Sequence, residues 1–264
     1  EGKHVAQALY YRAEALYGRN RKEEAEKLYA RVVEDHADDP LFADALYARV
    51  VALDELGRRQ EAEAAYADFL KRFSQHELTT DVHVRRADLL FAAGKTAEAE
   101  KLFASAAATA GYKDADYALF RAAACKYQRQ DYAAAMGAYD ELPQRFPRST
   151  HRDEALLAAG KSAYFAGDHA AAVARLQDIA KGSDVRAAEA AHWACRALLK
   201  QKKPDDALRL VDSAIKSTAE SKFAAQLALD RADALYEVDG RRADALAAYQ
   251  AVVENFDDDT VVPH

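Results

Sequence analysis

An alanine returns along this chain at Ala25, Ala62, Ala99, Ala135, Ala172, Ala207 and Ala245, in steps of 37, 37, 36, 37, 35 and 38 residues. Twelve or thirteen positions upstream runs a second small column, Ala13, Val50, Ala87, Ala123, Gly160, Cys195 and Ala232, with Val50 its largest member. Four residues after each alanine stands a larger side chain: Tyr29, Tyr66, Phe103, Tyr139, Leu176, Val211 and Tyr249. Three further on is another apolar column, Val32, Phe69, Ala106, Leu142, Ile179, Ala214 and Val252. Offsets of three and four place these residues on one buried stripe of a helix. Two small columns facing each other let helix axes approach closely while the larger side chains interlock on either side. A period this short means that no unit buries its own apolar face, so each needs its neighbours.

Between the two helices of each unit sit Asn20, Gly57, Gly94, Gln130, Gly167, Lys202 and Gly240. Glycine and asparagine suit the left-handed residue just past a helix end. Gln130 and Lys202 must adopt the same conformation at about 1 kcal/mol each, or reshape the turn. Pro204 then falls in the first turn of a helix, where its missing N–H costs nothing. Distances inside each hairpin are nearly constant, so length variation is confined to joints between units, such as HADDP, SQHELTT, GYKDA and FPRST.

The small–turn–alanine–aromatic set resembles the tetratricopeptide repeat, with Pro147 at the terminal proline position of the fourth unit. The resemblance covers seven repeats near 6–42, 43–79, 80–115, 116–152, 153–187, 188–224 and 225–257. It implies an all-α, right-handed α-solenoid of antiparallel helix pairs. There are two departures: the period exceeds the usual 34 residues, and the tryptophan position of the first helix holds Leu9, Leu46, His83, Leu119, Leu156, Ala191 and Ala228. HEAT and armadillo repeats have a longer period and no such alanine–glycine pairing. Endings such as KRFSQHE and QRFPRST are similar to repeats in bacterial envelope-assembly proteins, a likeness that favours the periplasm or cell envelope over the cytoplasm. The opening EGKHVAQ reads as the start of a fragment of a longer protein.

A covarying pair of columns flanks the small ones. Arg12, Arg49, Arg86 and Arg231 precede the first small column where Glu24, Glu61, Glu98 and Asp244 precede the alanine. In the fourth and fifth units Ala122 and Ala159 go with Ala134 and Ala171, and the sixth unit, with Ala194 and Asp206, is the exception. Side chains one step back on both helices of a hairpin face the same side, which predicts the pairs Arg12–Glu24, Arg49–Glu61, Arg86–Glu98 and Arg231–Asp244. Partly exposed pairs of this kind contribute ~0–1 kcal/mol, enough to select register.

Chemistry is sparse. No GxG, HExxH, CxxC or GxSxG occurs, and no two histidines are spaced as ligands on one helix turn. Asp257-Asp258-Asp259 could touch a cation, but a solvated acidic terminus is the simpler reading. Cys125 and Cys195 lie in repeats too far apart for a disulfide and are expected as buried small residues. The expectation is therefore no catalysis, no cofactor and no metal site. A net charge of −7 argues against nucleic-acid or anionic-membrane binding, and no apolar run reaches the ~20 residues of a membrane span.

What remains is surface. In the resembled family the first helices line a concave groove for extended or helical peptides. Carried over by repeat position, that groove would include Tyr10, Tyr17, Tyr47, Phe91, Phe120, Tyr127, Tyr164, His192 and Tyr236. Arg85, Arg121, Lys161, Arg196 and Lys200 interleave from the third repeat onward. Rings beside guanidinium forks suit peptide carboxylates, so an acidic or C-terminal peptide is the expected ligand. The same rings also suit the repeat's own core. A chaperone-tail clamp needs Lys and Asn four apart in the first unit, where Tyr10 and Glu14 stand. The expected role is a non-catalytic protein–protein interaction scaffold. The alternatives are an architectural module and a regulatory arm of an enzyme encoded outside this fragment. The final helix is expected to expose Tyr249, Val252 and Phe256 and to support self-association.

Overall fold

Fourteen helices and no strand make up the described residues, 3–218 and 221–256, of a computed structural model. Contacts divide the chain into two units, one running to Ala118 and the other starting at Leu119. The first holds α1 (Lys3–Tyr17), α2 (Lys22–Asp35), α3 (Phe42–Glu55), α4 (Arg59–Arg72), α5 (Thr79–Ala92) and α6 (Thr96–Ala108). The division falls inside α7 (Ala115–Gln128). The second holds the rest of α7 with α8 (Tyr132–Arg145), α9 (Arg152–Phe165), α10 (His169–Ile179), α11 (Val185–Lys200), α12 (Pro204–Ser217), α13 (Ala224–Glu237) and α14 (Arg242–Asn255). Within each unit successive helices pack on one another in chain order, the arrangement of an all-α solenoid of helical hairpins.

The periodic columns are the core. All seven alanines of the main column are at most 1% exposed, and Ala13, Val50, Ala87, Ala123, Cys195 and Ala232 are fully buried beside them. Tyr29, Tyr66, Phe69 and Phe103 are the largest side chains buried outright in the first unit. Cys125 and Cys195 are both buried. The predicted turn residues all have positive φ, from 59° at Lys202 and 62° at Gln130 to 82° at Gly167. At these positions the glycines relieve a backbone that L side chains adopt only at a cost.

The ion pairs correct the expected hairpin register. Arg49 Nε lies 3.0 Å from Glu26, Arg86 Nη2 lies 2.7 Å from Glu63, and Arg231 Nε lies 2.6 Å from Asp212. Each arginine therefore reaches back to the second helix of the preceding hairpin, not to its own. Glu26 is 4% exposed and is also held by Arg58 at 3.1 Å.

The covarying acids belong to helix starts. Arg21, Arg58 and Arg241 stand at the N-cap positions of α2, α4 and α14 and grip Glu24, Glu61 and Asp244 three residues on. In α8 and α10 the N-cap is Asp131 or Asp168, whose carboxylate accepts the N–H of Ala134 at 3.4 Å or Ala171 at 2.9 Å. In α6 and α12 Lys95 and Lys203 stand at the cap with Glu98 and Asp206 three residues on, and Asp206 is held by Arg209 within the helix. One carboxylate is thus always supplied to the positive end of the second helix, from the cap or from the third position. An alanine is tolerated only at the position that the other acid makes redundant.

The end of the chain also differs from expectation. Leu246 is 61% and Val253 81% exposed on α14, whereas Tyr249, Val252 and Phe256 are half-buried. Asp257, Asp258 and Asp259 lie outside the described residues.

Candidate binding face on the first helices

In the second unit α9, α11 and α13 touch one another as well as their hairpin partners, so the first helices of successive hairpins form one layer. Residues one position after the small column point along this layer: Ala124, Lys161, Arg196 and Asp233. Residues four after it are Tyr127, Tyr164, Leu199 and Tyr236. The expected interleaving of rings and charges is present, but the charges are already engaged. Lys161 Nζ lies 2.6 Å from Glu189, and Arg196 Nη1 lies 2.9 Å from Asp233, which also accepts the Tyr249 hydroxyl at 2.7 Å.

The rings form a row across three hairpins. Tyr127 meets Tyr132 and Phe165 at 5.3 and 6.1 Å between centroids. Phe165 and Tyr164 lie 5.0 and 5.1 Å from Trp193, over which Lys161 Nζ sits at 5.9 Å. Phe165 is 40% exposed, while Tyr127, Tyr164 and Trp193 are half-buried. Beside the row, a cleft of about 220 Å³ is lined by Phe120, Tyr127, Tyr139, Glu154, Leu157 and Lys161, with Ala158 and Glu189 completing it. Burial, with Tyr132 and Glu189 nearby, pushes the Tyr127 hydroxyl up to about 12, and burial likewise raises Tyr139. Both phenols therefore stay protonated at neutral pH. Phe120 stacks on His151 at 5.4 Å and tilts against Tyr139 at 5.6 Å. A second cleft, of about 270 Å³, gathers Arg196, Lys200, Asp233, Tyr236 and Tyr249. Lys200 is exposed and Tyr236 is 51% exposed. Arg121 is half-buried on α7.

His192 does not line this face. It is 1% exposed, with Nδ1 2.6 Å from the equally buried Asp230 on α13. Its successor Trp193 takes the outward direction on α11, because one residue of helix turns the side chain by about 100°.

In the first unit Tyr17 donates to Glu55 at 2.6 Å, and Arg85 Nε donates to the Tyr47 hydroxyl at 3.1 Å. These contacts tie α1 to α3 and α3 to α5. Tyr10 packs half-buried on Tyr29 at 5.9 Å, Phe91 is half-buried on α5, and burial raises both Tyr10 and Tyr17 to about 12. Arg85 lies over the Tyr47 ring at 5.8 Å.

The sequence reading missed Trp193, Phe165, Tyr139 and the carboxylates Glu154, Glu189 and Asp233. One signal was available: Arg196 and Asp233 occupy the same column in successive repeats, opposite in sign, one period apart. Among the described residues no cluster of His, Cys, Asp and Glu could hold a metal ion, and no helix is long and apolar enough to cross a membrane.

No curated protein matches this chain in sequence. Among solved structures, the C-terminal part of a TPR repeat-containing protein from Cytophaga hutchinsonii superposes with a TM-score of 0.72 at 14% identity, over 96% of this chain and 98% of that one. A tetratricopeptide repeat protein from Parabacteroides merdae gives 0.62 at 14% identity, over 97% and 95%. YrrB, described as a TPR protein with an unusual peptide-binding site, gives 0.56 at 16%, over 74% and 95%. The tetratricopeptide repeat-like domain family matches residues 108–263, and tetratricopeptide repeat families match residues 47–116 and 7–39. With buried alanine columns, left-handed turns and a family match over more than half its length, this chain belongs to the tetratricopeptide repeat family.

Proposed function

We propose that this chain is a non-catalytic protein-interaction scaffold whose first-helix layer in the second unit holds an extended peptide of a partner protein. The observation that carries the reading is the row Tyr127, Phe165, Tyr164 and Trp193, left partly open across three hairpins beside a cleft. Rigid rings offer contact area at low entropic cost, which is why they dominate binding energy where they stay accessible. YrrB offers a precedent on the same fold.

The expected acidic ligand meets an obstacle. A peptide carboxylate would have to displace Glu189 from Lys161 or Asp233 from Arg196, or turn to the exposed Lys200 and Lys202 of the second cleft. Exchange of one partly exposed pair for another yields little net free energy.

The test is a photo-crosslinking amino acid placed at Ala158, in the cleft, with Ala170, exposed on the first turn of α10, as control. Adducts with a partner from native lysate at position 158 and not at 170 are expected. Equal yields at both positions would discard the face.

A second reading, self-association through α14, is favoured by exposed Leu246 and Val253. Sedimentation should then show a dimer that Val253→Glu dissociates.

A further inference from the structure

The cleft between α7, α8 and α9 has the composition of a cation receptor, although the surrounding face was expected to receive acids. Phe120, Tyr127 and Tyr139 supply three rings, and Glu154 and Glu189 supply two carboxylates against one ammonium, that of Lys161. Lys161 is held at 2.6 Å by Glu189 and leans toward Trp193, so it is committed at the edge of the cleft. Glu154 is exposed on the first turn of α9 and close enough to act on the Tyr139 phenol, whose ring is 4% exposed and packs against Phe120. Within the lining the carboxylates outnumber the ammonium by one, while Arg121 acts on the Tyr139 phenol from outside it and Glu154 also acts on Arg186. Rings next to unbalanced carboxylates attract a cation through the ring quadrupole and the Coulomb term together, and partial enclosure strengthens both.

Resting on the peptide-binding reading above, we propose that this cleft is a specificity pocket for a lysine or arginine side chain of the bound peptide. The aliphatic stem of such a side chain would run over Leu157 and Phe120 while its charged head meets Glu154 and the phenol oxygens, the division of labour that amphipathic cationic side chains favour. The chain's overall −7 charge would speed encounter with a basic segment and disfavour an acidic one.

The experiment is panning of phage-displayed random linear peptides against the wild-type protein, followed by titration of a synthetic peptide from the enriched pool. The expected result is a Lys or Arg shared at one position of the enriched sequences. Glu154→Gln should then weaken that peptide roughly fivefold, and replacing the cation by Gln should do the same. The two losses should not add in combination, and the thermal midpoint of the Glu154→Gln protein should fall only slightly, because Glu154 is exposed and Asp153 keeps a carboxylate in the first turn of α9. Enrichment of cation-free peptides whose binding falls with Tyr127→Ala or Phe165→Ala would overturn the cation pocket and leave the binding face intact. A shared cation indifferent to Glu154→Gln would also overturn it. No enriched sequence sensitive to either ring variant would remove both the pocket and the face.

Discussion

Gly160 on α9 lies directly beneath Leu176 on α10, so that a Cβ added at 160 would fall inside the envelope of the leucine Cγ and Cδ2. The other members of this column carry at least a methyl group, and in the first four units they face a Tyr or Phe knob. Here the branched leucine fills the space that a methyl would occupy. Overpacking of this kind costs about 1–3 kcal/mol, against a gain of about 1 kcal/mol for alanine over glycine inside a helix. Gly160→Ala should therefore lower the urea midpoint by a net loss of about 1 kcal/mol. The double variant Gly160→Ala/Leu176→Val should recover it. A midpoint raised by the single change would show that Leu176 simply moves aside.

The two cap patterns at the second helices should be interchangeable. Asp168→Ala removes the acceptor from the Ala171 N–H and should cost about 1 kcal/mol of stability. Asp168→Arg combined with Ala171→Glu recreates the arrangement of Arg58 and Glu61 and should restore most of that loss. Thermal unfolding of the three proteins checks it, and a double variant no better than Asp168→Ala would refute the exchange.

Gln130 and Lys202 carry positive φ without being glycine. Each holds a conformation that costs an L side chain about 1–2 kcal/mol, offset in part by the extra chain entropy a glycine would lose on folding. Gln130→Gly and Lys202→Gly should each stabilise by about 0.5 kcal/mol, and Asn20→Gly by less, since asparagine tolerates this region. Chemical denaturation of the single and double variants measures the gain, which should be additive for turns this far apart.

Burial raises the Asp230 carboxyl above its ordinary range, opposed by its hydrogen bond from His192 and by nearby Arg196, while Asp233 adds to the rise. A folded-state value above the unfolded one means that this group's stabilising contribution is present below about pH 4, the unfolded carboxyl range, and is lost as pH rises through the folded value. Asp230→Asn, which cannot ionise, should therefore gain stability relative to wild type as pH rises above about 4. His192→Ala should be strongly destabilising at neutral pH, by about 3–5 kcal/mol, because it strands a buried carboxylate. Urea melts from acid to neutral pH decide the sign.

The fold was legible because repetition samples the same physical rule seven times. A single alanine says little, but seven at nearly equal spacing, each followed by a knob four residues on, admit one packing geometry. The turns were legible for the same reason, although for Gln130 and Lys202 only the structure decides between a left-handed residue and a reshaped turn, in favour of the former. The ion pairs were not. Covariation of Arg49 with Glu61 is real, yet Glu61 answers to Arg58 at the helix start and Arg49 answers to Glu26 in the previous hairpin. Column statistics show that two positions respond to each other's context, not that their side chains meet. The candidate face was legible in part: Tyr127 and Tyr164 lie on it, but of the neighbours His192 and Trp193, whose rings touch at 4.8 Å, only Trp193 reaches the surface.

The sequence by itself determined the periodic part of this protein: hairpins, small contacts, left-handed turns and an alternation of carboxylates at helix starts. Those follow from rules acting over four to twelve residues, which a linear chain displays directly. Only the tertiary structure decided which charges are engaged and which way the rings look. Lys161 and Glu189, or Arg196 and Asp233, are neutralised by neighbours 28 and 37 residues away, and the sense of a charged face depends on the balance left once those pairs have closed.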